Sequence, residues 1–206
     1  MGRVAVYPGT FDPVTNGHID LMERSLQLFD KVYVGVFDNL AKAVLFSNGE
    51  RIEMIRKATS HLRGLEVEAF DSLLVAYAKV RGACAIIRGL RAVSDFDYEF
   101  QMTLMNRKQD AMTETVFMMP SEEYVYVSSR LIKEVVSLGG QVTGLVPDFV
   151  EEALMQRLGK REAATVSADD NIHHNDINWL FQRLPCCFNR INCDQFMMGC
   201  FDITRH

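Results

Sequence analysis

The stretch Tyr7-Pro8-Gly9-Thr10-Phe11-Asp12-Pro13-Val14-Thr15-Asn16-Gly17-His18 gathers glycines, a threonine and a histidine behind an apolar run. Glycine lets a backbone approach a ligand closely. A histidine at the head of a following helix would stand among free N–H groups that favour an anion. Lys42, in Asp38-Asn39-Leu40-Ala41-Lys42, adds a flexible ammonium suited to phosphate. Ile87-Arg88-Gly89-Leu90-Arg91 sets two guanidiniums around a glycine, and such groups match phosphate oxygens in paired hydrogen bonds. Beyond it, Asp95, Glu99, Met102 and Asn106 fall on one helical face with Tyr98 beside them, a mixture that fits a pocket wall or, for Met102, plain core. A fourth group, Tyr124-Val125-Tyr126-Val127-Ser128-Ser129-Arg130, ends in two serines ahead of a helix, where hydroxyls and N–H groups can cap the helix and hold a second phosphate. These residues share one chemistry, the handling of phosphate groups.

The elements that must position them alternate. Short apolar runs occur at Val4–Tyr7, Val32–Val36, Leu65–Val67, Cys84–Ile87 and Thr115–Met118, separated by helix-length stretches with apolar residues at helical spacing. This order predicts βαβ units: an α/β fold with a parallel five-stranded sheet and helices on its faces. Each of the four clusters then falls where a strand's carboxyl end meets the next segment, the usual ligand edge of such a sheet. Ser47-Asn48-Gly49-Glu50 has capping-box spacing. Asp71 is expected to cap a helix over 72–79 and Ser94 one over 95–106. Gly139-Gly140 should end a helix that begins near Ser129, and Pro147 should open a last one through Leu158.

The 206-residue chain carries 22 Lys and Arg against 27 Asp and Glu, a net charge of −5, which argues against a nucleic-acid binder. No apolar run is long enough to span a bilayer and no signal peptide is visible, so a cytoplasmic protein without a membrane partner is expected. Cys84 alone precedes Cys186, so the main body cannot hold a disulfide framework. Composition shifts after Lys160, giving a domain over 1–160 and a C-terminal extension over 161–206 of unassigned role. The extension holds Cys186-Cys187, Cys193, Cys200 and His173-His174, without the paired spacing of a zinc site. The absence of GxxxxGK[ST] argues against a P-loop enzyme, and the absence of GxGxxG after the first strand weakens a dinucleotide dehydrogenase.

Thr15-Asn16-Gly17-His18 matches the (T/H)xGH motif of the nucleotidylyltransferase superfamily, and Ser128–Lys133 resembles its second, ISSTxxR-type signature. With Tyr7–Pro13, Arg88-Gly89-Leu90-Arg91 and Met105-Asn106-Arg107, residues 1–160 resemble the bacterial phosphopantetheine adenylyltransferase family. The resemblance implies transfer of AMP from ATP to 4′-phosphopantetheine, giving dephospho-coenzyme A and pyrophosphate. It also implies a Rossmann-like, doubly wound parallel sheet with helices on both faces, Mg²⁺ with the nucleotide, a homohexamer, and coenzyme A or its dephospho form as product or feedback ligand. It places Thr10, Lys42, Leu74, Arg88 and Asn106 on phosphopantetheine. It places Thr10, Phe11, His18, Gly89, Leu90, Arg91, Glu99 and Tyr124, Val125, Tyr126, Val127, Ser128, Ser129 and Arg130 on ATP. His18, Lys42 and Arg91 would carry catalysis, His18 as transition-state stabiliser, with no metal ligand from the protein. Lys133 stands where the superfamily often has Arg, and its role stays open. Rivals are a nucleotidylyltransferase with another acceptor, such as nicotinamide mononucleotide or a phosphorylated alcohol, and a nucleotide-binding module without chemistry.

Overall fold

The computed structural model describes residues 2–37, 44–91 and 93–159; Lys42 and the 161–206 extension lie outside them. Five parallel strands form one sheet in the order β3-β2-β1-β4-β5: β1 Val4–Gly9, β2 Lys31–Val36, β3 Leu65–Ala69, β4 Ala85–Gly89 and β5 Glu114–Met118. Helices α1 Asn16–Leu28, α2 Asn48–Ala58, α3 Leu74–Val80 and α4 Val93–Gln109 make the crossovers, and α5 Ser129–Ser137 and α6 Asp148–Leu158 follow β5. The expected α/β architecture is therefore present. None of the described helices is long and apolar enough to cross a membrane.

Alternation along the strands sends side chains to two cores. Ala5, Tyr7, Ala85 and Ile87 join Leu21, Ile55, Ile132 and Leu154 of α1, α2, α5 and α6. Val6 and Ile86, one residue out of step, join Val75, Tyr77 and Ala78 of α3 on the opposite face. Both faces of β1 and β4 are thus covered, which is why their runs are continuously apolar. The chain winds from β1 outward to β3, then crosses back to β4 on β1's other side. The carboxyl ends of β1 and β4 flank the point where the winding reverses, the position at which open α/β sheets generally bind their ligands.

Helix ends follow packing more than capping in two places. α3 begins at Leu74 with Leu73 as an N-cap that makes no side-chain bond, so Asp71 does not cap it. Its start is set by burial of Val75, Tyr77 and Ala78 and by Tyr77 stacking on Phe70 at 4.4 Å. α4 begins at Val93, so Ser94 lies inside the helix and does not precede it. The Ser47–Glu50 capping box is present, α5 stops ahead of Gly139 at φ +83°, and Pro147 stands at the N-cap of α6.

Candidate active site

The β1–α1 loop enters α1 through a capping box built from Thr15 and His18. Thr15 Oγ1 accepts the His18 backbone N–H, and the Thr15 backbone N–H donates to His18 Nδ1 at 3.0 Å. Because Nδ1 accepts, the neutral ring carries its proton on Nε2 and presents it as a donor. Burial of the ring, helped by the charge of Arg91, lowers its pKa from 6.5 to about 4. At neutral pH His18 is an uncharged hydrogen-bond donor.

Phe11 fixes the plane of that ring. Its backbone is left-handed at φ +49°, a conformation costing about 1–2 kcal/mol for a residue with a Cβ. Its buried ring stands edge-on between Tyr7 at 5.4 Å and His18 at 5.1 Å. The ring lies across Gly9, where a Cβ would come within 2.7 Å of it. Gly9 is therefore required by the close approach of Phe11.

Two buried charged residues anchor the loop, and the sequence reading did not single out either. Asp12 is 5% exposed; its carboxylate accepts the backbone N–H groups of Leu45 and Phe46 at 2.9–3.1 Å and the Lys133 ammonium at 2.5 Å. Burial pushes the Asp12 pKa up, but Lys133 and the two N–H groups outweigh it and hold the carboxyl below its ordinary value. Arg51 of α2 is fully buried and donates to the carbonyls of Thr10 at 2.7 Å, Phe46 at 3.0 Å and Phe37 at 3.2 Å. Phe37 and Val44 bracket the segment that carries Lys42. The loop's far end is pinned as well. Asn16 donates from its backbone to Leu145 O at 2.9 Å and from its side chain to Gly144 O at 2.7 Å.

The β4 exit supplies the opposite wall. Arg88 makes a two-pronged pair with Glu99 of α4, at 2.6 Å from Nε and 2.5 Å from Nη2, and Nη1 reaches Pro8 O at 3.3 Å. Burial opposes the charge on Arg88, but the Glu99 carboxylate more than offsets it and raises the pKa. The remaining N–H groups on Nη1 and Nη2 have no described acceptor. Arg91 pairs with Asp95 at 3.2 Å and donates to Val127 O at 3.3 Å, which brings β4 against the 124–130 segment. Leu90 N–H is held by Met118 O at 2.9 Å. Gly89 packs where a Cβ would meet Leu21 at 2.8 Å.

At the head of α5, Ser128 caps Leu131 N–H at 3.1 Å, and Ser129 Oγ donates to Pro13 O at 2.7 Å. Val127 is buried, whereas Tyr126 and Arg130 are exposed and Tyr124 and Val125 are half-buried. Thr10, Phe11, His18, Gly89, Leu90, Arg91, Val127 and Ser129 are thus gathered at the β1/β4 edge, with Arg88 and Glu99 beside them. Leu74 is half-buried at the start of α3 and packs against the Val6–Ile86 core. Asn106 is buried on α4, while Tyr98 and Met102 of the same helix are exposed, so that stripe is only partly a wall. No cluster of three or more His, Cys, Asp or Glu able to hold a metal occurs among the described residues.

The family model described as cytidylyltransferase-like matches residues 6–135, from within β1 into α5. The phosphopantetheine adenylyltransferase of Caldanaerobacter subterraneus subsp. tengcongensis is 53% identical over 158 residues, 77% of this chain and 99% of its own length. That of Moorella thermoacetica is 52% identical over 157 residues, 76% of this chain and 98% of its own. A solved structure of a Vibrio parahaemolyticus protein described as a nicotinate-nucleotide adenylyltransferase superposes with a TM-score of 0.56. It is 16% identical, covers 75% of this chain and 99% of that protein, and bears on the fold alone. Identical at about half of the aligned positions to relatives whose length it spans almost entirely, in the same region that builds the β1/β4 edge, this chain belongs to the phosphopantetheine adenylyltransferase family of nucleotidyltransferases.

Proposed function

We propose that the chain transfers AMP from ATP to 4′-phosphopantetheine, releasing pyrophosphate and forming dephospho-coenzyme A. The observation that carries this reading is the neutral, Nε2-protonated His18 at the head of α1, between the β1 loop and Arg91. A phosphate oxygen of the acceptor attacks the α-phosphorus in line. The new O–P bond forms as the bond to the bridging oxygen of pyrophosphate breaks. The nucleophile is already anionic at neutral pH, so no strong base is needed, and the protein contributes alignment and charge stabilisation. His18 Nε2–H donates to an α-phosphate oxygen. Being neutral, it transfers no proton in the step and loses no hydration shell of its own. Thr10, Lys42 and the unassigned N–H groups of Arg88 orient the acceptor phosphate, with Leu74 and Asn106 along the rest of that substrate. Arg91, the Ser128 hydroxyl and the backbone N–H of Ser129 hold the triphosphate and the departing pyrophosphate, and Gly89, Leu90, Glu99 and residues 124–130 complete the nucleotide side.

Magnesium fits this arrangement as a companion of the nucleotide. It favours phosphate oxygens and water, and no three-ligand cage exists among the described residues. Bound there, it would neutralise charge on the phosphates. We further read the chain as cytoplasmic and as a homohexamer. The exposed apolar side chains of α4, among them Phe96, Phe100, Leu104 and Met105, support self-association. Coenzyme A and its dephospho form are the expected product-side ligands.

The test is pyrophosphate release from ATP and Mg²⁺, with and without 4′-phosphopantetheine, by the full chain and by residues 1–160. Acceptor-dependent release is the expected result. ATP binding without release under any acceptor would overturn the reading. Release only with nicotinamide mononucleotide or a phosphorylated alcohol would replace the acceptor.

A further inference from the structure

Asp12 ties three segments of the fold together. Its own loop carries Thr10 and leads to His18. Its oxygens accept the Leu45 and Phe46 N–H groups ahead of α2. Its Oδ2 also accepts from Lys133, one turn into the helix whose first residues are the nucleotide-side serines. The pair is well shielded, with side-chain exposures of 5% for Asp12 and 27% for Lys133. A second tie runs parallel to it, from Ser129 Oγ to the carbonyl of the adjacent Pro13. Lys133 therefore has a partner inside the fold, and that partner lies in the loop that carries Thr10 and is bonded to Leu45 and Phe46. A lysine meant for pyrophosphate would leave Asp12 buried without its counter-charge whenever it turned to the ligand.

We infer that Lys133 is a positioning residue of the transfer, acting through Asp12 to hold the β1–α1 loop that carries Thr10 and the nucleotide-side helix α5 in fixed register, and that it does not bind the phosphates itself. This rests on the adenylyl-transfer reading. In-line attack needs the two substrates aligned within a fraction of an ångström, and a misplacement of about 1 Å costs about 10²-fold in rate. A latch between the two substrate walls acts on that alignment, whereas affinity for either substrate alone depends on one wall.

The experiment compares the wild type with Lys133→Met, Asp12→Asn, the double variant and Lys133→Arg. It measures kcat and KM for acceptor-dependent pyrophosphate release, and the ATP dissociation constant by calorimetry. Lys133→Met is expected to lower kcat about 10–100-fold while the ATP dissociation constant moves less than about threefold. The double variant should be no worse than either single one, because both remove the same contact. Lys133→Arg should restore most of kcat. If Lys133→Met proves unstable with its unpaired carboxylate, the double variant carries no unpaired charge and Lys133→Arg keeps the pair, so these two decide. A tenfold or larger loss of ATP or pyrophosphate affinity in Lys133→Met that Asp12→Asn does not share would overturn the inference and make Lys133 a phosphate ligand. Unchanged kcat in Lys133→Met or the double variant would overturn it too. A wild-type chain inactive with every acceptor would instead overturn the transfer reading, and this role with it.

Discussion

Replacing His18 by Asn separates its two jobs. The Asn carbonyl stands where Nδ1 is, so it can still accept the Thr15 N–H and keep the capping box. It cannot reach where Nε2 is, so the donor to the α-phosphate is lost. His18→Ala loses both. Both variants should lose about 10²–10³ in kcat, the effect of one oxyanion donor, or roughly 3–4 kcal/mol of transition-state stabilisation. Only the alanine variant should also lose about 1 kcal/mol of stability, measured by urea denaturation at pH 7.5, because only it removes the cap. Protonation gives an independent check. The folded histidine titrates at about 4 and the unfolded one at its ordinary 6.5. Between those values the unfolded state binds the extra proton, so stability is complete above pH 6.5 and falls as pH drops towards 4. At about 1.36 kcal/mol per pH unit the full loss approaches about 3 kcal/mol. The wild type should show that acid-side loss beyond whatever His18→Asn shows. Proton NMR reads the ring directly and avoids the acceptor phosphate, which itself titrates near pH 6. A His18 resonance that titrates near 6.5, or a His18→Asn enzyme within tenfold of wild-type kcat, would refute the neutral-donor argument.

Gly9→Ala places a Cβ 2.7 Å from the Phe11 ring; overpacking of about 1–3 kcal/mol is expected, with a fall in kcat as the ring that steadies His18 is displaced. Urea denaturation and steady-state kinetics check both parts, and a stable, fully active variant would contradict it. Glu99→Gln removes the charge that holds Arg88. Freed from its pair, Arg88 should lose its set direction, raising KM for the acceptor more than for ATP, at a stability cost of about 1–3 kcal/mol. Because Glu99 itself stands on the nucleotide side, the acceptor KM decides: an acceptor KM unchanged from the wild type would count against placing Arg88 on the acceptor. Ser47→Ala should cost about 1 kcal/mol of stability in urea and leave kcat within twofold, since its capping box starts α2 away from the reacting groups.

The alternation of apolar runs and helical stretches already specifies the parallel sheet, because a strand buried on both faces must be continuously apolar. The strand-exit positions of three of the four polar clusters were equally legible, since glycines, arginines and serines there interrupt the apolar runs; the cluster around Lys42 lies outside the described residues. His18 as a capping residue was less so. The usual partner three residues after an N-cap is Glu or Gln, and a histidine in that role shows only when Nδ1 is seen against Thr15 N–H. The cap assigned to Asp71 failed for a related reason: local spacing offered a start for α3, but burial of Val75 and Tyr77 moved it.

Sequence alone determined the alternating order of the elements and the strand ends at which the polar clusters stand, for both follow from periodicities and residue types within short windows. Tertiary structure alone decided which charges are free and which are tied. Arg51 reads as an ordinary surface position of an amphipathic helix, yet it is fully buried because three carbonyls, 41, 14 and 5 residues away along the chain, converge on its guanidinium. Lys133 reads as one more cation at the nucleotide edge, yet it is claimed by a carboxylate 121 residues earlier. The physical reason is the same in both cases: a charge can leave water only where complementary groups meet it, and that meeting is made by distant segments brought together in the fold.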